Sequence, residues 1–345
     1  MKQAIMTAPG RIELREVPPP EVAPEQVLVR MKRIGVCGSD IHVFHGKHPL
    51  TPYPVVQGHE ASGVVERAGS AVRGLSPGDP VTFQPQVTCG VCYPCRHGAY
   101  HICDKLKVMG FQTTGAASEL FAVDSSKVLR LPKSMSLEQG AMVEPLAVSV
   151  HAIERVGGAA GKKVLVLGAG PIGNLVAQAA RGLGAAAVMI TDTSDYRLEL
   201  AARCGIPLRV NPLKADLAEA VREQFGPDKA DLIFECVGVQ KTVEQAVAVA
   251  RKGTDVAVVG VFGDKPAVDM GTVQDRELRL VGTLMYQQPD WVKAISLIEQ
   301  GKVDLAPLVT DRFAFADYQK AYEYIDANRE RAMKVMILVD AVSAA

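Results

Sequence analysis

The stretch KVLVLGAGPIGNLVAQAARGLGAAAVMITD, residues 163 to 192, constrains the fold of this chain more than any other. An apolar run of strand character leads into glycines at 168, 170 and 173, an Ala-rich helical stretch follows, and a second apolar run ends on Asp192. G-x-G-x-x-G in this strand-to-helix context reads as a dinucleotide fingerprint. Gly168 permits the tight turn, Gly170 lets a pyrophosphate approach the backbone, and Gly173 lets the helix pack closely on the sheet. Pro171 and Ile172, inside the motif, belong to the same candidate set, and the anion rests on the helix N-terminus. Asp192 stands nineteen positions past Gly173, near the spacing of about 20 expected for a carboxylate on the adenosine ribose. A carboxylate there repels a 2'-phosphate, so the predicted cofactor is NAD rather than NADP. Arg197 suits either a cation near the adenosine or a solvated helix position. Val237, Val259 and Val261, with Cys236 and Gly238, close later strands at the same carboxyl edge, where ligands of open α/β sheets bind. They equally suit buried strand ends.

The grammar on either side of this unit differs. Up to about residue 145 short β-like runs alternate with Gly and Pro, as in QVLVRMKRIGVC (26 to 37), ASGVVERAG (61 to 69) and DPVTFQP (79 to 85), which predicts an irregular, mostly β domain. From 146 to 285 strands and helices alternate strictly, which predicts a parallel sheet with right-handed crossovers. After about 286 come a helix (290 to 300), a second helix near 316 to 327 and the strand KVMILV (334 to 339). That tail is too short for a core of its own and is expected to rejoin one of the two domains.

Charge excludes some functions. With 38 basic and 38 acidic side chains, the chain has no field to attract nucleic acid or an anionic membrane. The start, MKQAIMTAPG, lacks the apolar region of a signal peptide, and the apolar runs are too short to span a bilayer. A soluble cytoplasmic protein is expected.

Seven cysteines are present, and four of them occupy fifteen positions, CGVCYPCRHGAYHIC (89 to 103). In a reducing compartment thiols so spaced bind metal more often than they pair. Cys89, Cys92, Cys95 and Cys103 supply all four ligands of a closed structural zinc site. A bacterial ferredoxin run would bring its fourth cysteine after three residues and before a proline; here seven intervene and Asp104 follows. Arg96, Lys105 and Lys107 are too few cations for a nucleic-acid-binding ribbon. An open, catalytic zinc site needs three protein ligands and one exchangeable position. Its candidates are Cys37 in GVCGSDIHVFHG, His59 and Glu60 in GHEASG, and Glu144 in AMVEPLAVSVHA.

In this combination the chain resembles the zinc-containing medium-chain alcohol dehydrogenases, in their sorbitol, or polyol (L-iditol), dehydrogenase-like branch. The likeness covers essentially the whole chain through GVCGSDIH, GHEASGVV, the four-cysteine lobe, VEPLAVSVHA, VLGAGPIG and Asp192, in the family's order. It implies an α/β chain with a discontinuous GroES-like, mostly β catalytic domain, residues 1–145 and 286–345, whose zinc lobe spans about 86–106. A Rossmann NAD-binding domain, 146–285, is inserted into it. It implies that Cys37 and His59 hold a catalytic zinc, with Glu144 or Glu60 as the carboxylate; sequence does not order the two. It further implies that Ser39 accepts the alcohol proton, that His42 passes it onward through the cofactor ribose, and that Asp40 steadies the ligand loop. His42 shares its exposed-looking loop with His45 and His48.

The match loosens where a polyol is bound. Met285 precedes Tyr286 where the branch carries arginine, and Val43 stands where sorbitol enzymes tend to have tyrosine, so donors suited to a hydroxyl-rich substrate are missing. Phe44, Tyr53, Phe111 and Tyr286 are candidates for the pocket wall. The resemblance therefore implies an NAD-dependent oxidoreductase acting on a secondary alcohol of a polyol, sugar acid or vicinal diol. Butanediol-type and threonine-type substrates are the alternatives within the family, and a non-catalytic binding protein that keeps the fold is the alternative outside it. A small-molecule alcohol partner and a homodimer or homotetramer are expected, with neither nucleic acid nor membrane.

Overall fold

The strand Lys163–Leu167, the helix Pro171–Gly182 and the strand Ala187–Thr191 bracket the glycine motif in the computed structural model, which describes residues 1–340. They belong to a six-stranded sheet in which every neighbouring pair is parallel. Its order is Leu208–Val210, Ala187–Thr191, Lys163–Leu167, Leu232–Glu235, Asp255–Val258 and Arg279–Gly282. Numbered along the chain this is 3-2-1-4-5-6, the doubly wound order whose direction reverses between the first and fourth strands. The central strands bury both faces, so Val164, Leu165, Val166 and Leu167 form a continuous apolar run with no exposure at all.

Contact density divides the chain into two units, Pro145–Leu308 and, for the rest, Met1–Glu144 together with the described residues from Val309 onward. The second boundary differs from the expectation at 286. Residues 286 to 308 pack within the α/β unit because the helix Gln288–Glu299 buries Trp291, Ala294, Leu297 and Ile298 there. Its Asp290 carboxylate lies 2.8 Å from Nδ1 of His151, and the Asp304 amide donates to Gln178 at 2.7 Å. Only from Val309 does the tail join the β unit.

In that unit one long strand, Gln26–Val36, organises a seven-stranded sheet. One edge pairs with Glu60–Ala68. The other is shared: its first half pairs with Leu120–Asp124 and its second half with Lys334–Leu338. Val27, Val29 and Met31 alternate onto one face and are at most 1 % exposed, as the two-residue repeat of a strand requires. Arg30, between them, faces outward and is paired with Glu66 at 2.6 Å. Among the described residues no helix is long and apolar enough to cross a membrane.

Candidate metal centres and dinucleotide site

Strand register assembles the first centre. Gly35 lies opposite Glu60, and Val36 opposite Val335, so the end of one strand, the start of a second and the start of a third meet beside Cys37. Ligand atoms of Cys37, His59 and Glu60 all lie within 4.8 Å of one another. His59 and Glu60 are buried. Gly35 makes room for the carboxylate, since a Cβ there would come 2.4 Å from Glu60 Oε2.

Cys37 caps the helix Gly38–Phe44, and Asp40 completes the cap by accepting the Cys37 amide at 2.9 Å. The other Asp40 oxygen stands 3.5 Å from His59 Nδ1 and accepts from Gln57 at 3.1 Å. Gln57 in turn accepts the Tyr322 hydroxyl at 3.0 Å. A carboxylate behind a ligating imidazole fixes its orientation and tautomer. Burial disfavours a charged His59, yet the Asp40 carboxylate and Cys37 sulfur beside it outweigh burial and hold its pKa well above the usual imidazole value. Such a pocket demands a cation, and a buried imidazole held from behind by Asp40, with a thiol and a carboxylate within 4.8 Å of its ligand atom, fits zinc.

Glu60 belongs to the ligand group, whereas Glu144, buried in the first turn of the helix Val143–Arg155, falls outside it. Sequence reasoning missed Lys334. Its ammonium donates to both Glu60 oxygens, at 2.7 and 2.6 Å, and to the Val36 carbonyl at 3.3 Å, and both side chains are buried. Burial opposes its charge, but Glu60, Cys37 and Glu144 outweigh burial and raise its pKa. A lysine opening an apolar strand was the available signal.

Ser39 and His42 lie three residues apart on the helix that Cys37 caps, and so on one face of it; Ser39 is half-buried and His42 exposed. Val43 is fully buried in the core, so it forms no pocket wall. Phe44 packs against Tyr322, and the Tyr53 hydroxyl donates to the Val43 carbonyl. Phe111 packs on the His59 ring, with centroids 5.1 Å apart. Tyr286 is also wholly buried, set edge-on against Trp291, which makes it core of the other unit.

Cys89, Cys92, Cys95 and Cys103 form the second centre, with all four sulfurs within 4.8 Å. Sulfurs of Cys103 and Cys89 are 3.5 Å apart and those of Cys92 and Cys103 3.8 Å. A tetrahedron with zinc–sulfur bonds of about 2.3 Å has edges of about 3.8 Å, so the set is shaped for the ion. Backbone amides of Val91 and Cys92 lower the Cys89 thiol to about 6, while desolvation and the neighbouring Cys92 and Cys103 push Cys95 up to about 12. Four thiolates crowd together only around a dication.

In the α/β unit Gly168 takes φ +99° and a Cβ on Gly173 would lie 1.8 Å from the Gly168 carbonyl oxygen, so both positions require glycine. Gly170 caps the helix begun by Pro171 and Ile172, and nothing lies within 4 Å of where its Cβ would be. The backbone there is open to close approach, which fits a pyrophosphate. Asp192 accepts the amides of Ala169 and Ser194, each at 2.8 Å, which fixes its carboxylate beside the glycine turn. Arg197 stands 3.9 Å from it.

Val237 lies over Gly168, where a Cβ would meet its methyl at 2.5 Å. Glu235, at the end of the strand Leu232–Glu235, holds this turn. Its carboxylate accepts from Val237, Gly238 and Thr242 at 2.7 to 2.9 Å, and its carbonyl accepts the amides of Val259 and Gly260. Val261 is exposed beside Gly238.

Two family models match the chain, an alcohol dehydrogenase GroES-like domain over residues 23–133 and a zinc-binding dehydrogenase domain over 171–300. The chain is 36 % identical to 2-dehydro-3-deoxy-L-galactonate 5-dehydrogenase of Pseudoalteromonas atlantica, covering 92 % of this chain and 93 % of that protein. It is 36 % identical to L-idonate 5-dehydrogenase of Vitis vinifera (92 % and 89 %) and 33 % identical to sorbitol dehydrogenase of Ovis aries (97 % and 96 %). Among solved structures, galactitol-1-phosphate dehydrogenase from Escherichia coli superposes with a TM-score of 0.91 at 32 % identity, covering 98 % of this chain and 100 % of that one.

Proposed function

Because the chain belongs to the zinc-containing alcohol dehydrogenase family, in its polyol dehydrogenase-like branch, we propose that it oxidises a secondary alcohol of a polyol, sugar acid or vicinal diol to a ketone with NAD. The observation that carries this reading is the gathering of Cys37, His59 and Glu60 in a chain that also holds the glycine motif and Asp192. When bound, zinc supplies Lewis acidity that brings an oxygen ligand's pKa to about 7, and NAD supplies a hydride acceptor.

The chain's own residues do the rest. Cys37, His59 and Glu60 hold the metal, and Asp40 orients the imidazole. Ser39 takes the hydroxyl proton, and His42, on the same helix face, carries it towards solvent. The turn from Gly168 to Gly173 receives the pyrophosphate, with Pro171 and Ile172 leading into the helix that faces it. Val237, Val259 and Val261 border the dinucleotide, and Asp192 selects NAD by repelling a 2'-phosphate. Cys89, Cys92, Cys95 and Cys103 hold a structural zinc. Polyol and sugar-acid relatives at 33 to 36 % identity support the substrate class.

We read the chain further as a cytoplasmic homo-oligomer, a dimer or tetramer. The edge strand Arg279–Gly282 leaves one side unpaired within the unit, and Leu280 and Leu284 are exposed, a combination that a second copy satisfies. Light scattering behind a sizing column measures this directly. The catalytic reading is tested by NAD reduction across a panel of polyols, aldonates and diols before and after chelation. Activity undiminished in fully zinc-free protein refutes it.

A further inference from the structure

The three histidines after Cys37 have separate fates. His45 is committed, with Nε2 2.7 Å from an Asp326 oxygen. His42 is exposed on the helix that carries Ser39. His48 is half-buried and held on two sides: Nδ1 lies 2.7 Å from the Thr51 hydroxyl, and the ring packs on Phe111 with centroids 5.0 Å apart. The same Phe111 packs on His59, at 5.1 Å. One phenyl ring thus separates His48 from a metal ligand, which keeps the two imidazole centroids within about 10 Å.

The contact with Thr51 uses Nδ1 and fixes the ring plane, and no described residue bonds Nε2. A ring nitrogen oriented through its partner nitrogen is ready for a ligand. Desolvation, with the nearby His42, lowers the His48 pKa, so the ring is neutral near pH 7. In the tautomer whose Nδ1 accepts from the Thr51 hydroxyl, the proton sits on Nε2, which then donates. Phe111, on which the ring packs, is buried and apolar and offers a sugar derivative no such group.

We propose that His48 is a specificity residue whose Nε2 hydrogen-bonds an oxygen on the part of the substrate remote from the carbon being oxidised. That oxygen belongs to a hydroxyl of a polyol or to the carboxylate of a sugar acid. The inference rests on the reading that such a substrate is oxidised at the Cys37, His59 and Glu60 centre. A site built to bond a substrate oxygen discriminates strongly against an analogue that lacks it.

Steady-state kinetics of the zinc-loaded full chain test it, with sorbitol, L-idonate and 2-butanol as substrates. His48→Phe keeps the ring on Phe111 and removes both nitrogens, while His48→Gln restores a donor. For His48→Phe, kcat/KM on sorbitol or L-idonate should fall about tenfold through KM, with partial recovery in His48→Gln. Turnover of 2-butanol, zinc content and melting temperature should stay at wild-type values. A loss confined to L-idonate assigns the carboxylate, and a loss shared with sorbitol assigns a hydroxyl; either supports the inference. An equal loss on all three substrates, or none on any, overturns it. Wild-type turnover of 2-butanol alone overturns it while metal-dependent alcohol oxidation stands, and absence of wild-type turnover on every substrate overturns both.

Discussion

Replacing Lys334 by methionine removes a buried cation and leaves the Glu60 carboxylate facing Cys37 without the ammonium that pairs with it. Lys334 is 3 % exposed and Glu60 1 %, and three hydrogen bonds are lost with the ammonium. Breaking a buried ion pair from one side costs about 3–5 kcal/mol, because the surviving charge stays desolvated. For a unit of this size each kcal/mol shifts the melting temperature by about 2–4 °C, so the zinc-free variant should melt about 6–20 °C lower. Zinc beside Glu60 supplies the missing positive charge, so the loaded variant should lose much less. Calorimetry of zinc-free and zinc-loaded Lys334→Met beside wild type measures both differences. Adding Glu60→Gln to the zinc-free variant should recover part of the loss, since the two side chains are coupled. A zinc-free Lys334→Met that melts with the wild type, or a loss that zinc leaves unchanged, refutes the reasoning. The pH dependence has a fixed sign. The folded pKa of Lys334 is raised, so its contribution is complete below the unfolded value of about 10.4 and is lost only as pH rises through the folded value.

Cys103→Ser should remove one zinc per chain by metal analysis and lower the melting temperature, because the three remaining thiols no longer close a tetrahedral site. In Gly173→Ala the new Cβ would lie 1.8 Å from the Gly168 oxygen; NADH titration by fluorescence should show binding lost, and retained wild-type affinity would contradict the close approach. Asp192→Ser should weaken NAD about tenfold and narrow the preference over NADP, and an unchanged NAD to NADP ratio of kcat/KM would remove Asp192 from that role.

Motifs whose function depends on local chain geometry were legible directly. The glycine turn, its flanking strands and Asp192 act within thirty residues, and the four cysteines of the lobe act within fifteen. Their spacing already sets which groups can meet. The boundary at 286 was misplaced because a helix with an apolar face reads the same whichever core it covers. Tyr286 differs from its reading as a wall residue for a similar reason: an aromatic residue in sequence does not state which way it faces, and this one is wholly buried.

The chain's sequence alone determined the doubly wound sheet, the dinucleotide turn, the closed four-thiol site and the presence of Cys37 and His59 as candidate ligands. Only the tertiary structure gathered Glu60 with Cys37 and His59, placed Lys334 against that carboxylate, and set Gln57 and Tyr322 behind Asp40. Lys334 and Glu60 lie 274 positions apart in the chain and Tyr322 and Gln57 265, and no local period or spacing encodes their meeting. It is produced by sheet register: pairing Val36 with Val335 and Gly35 with Glu60 delivers a cation and a carboxylate to one buried point, where neither is tolerable without the other.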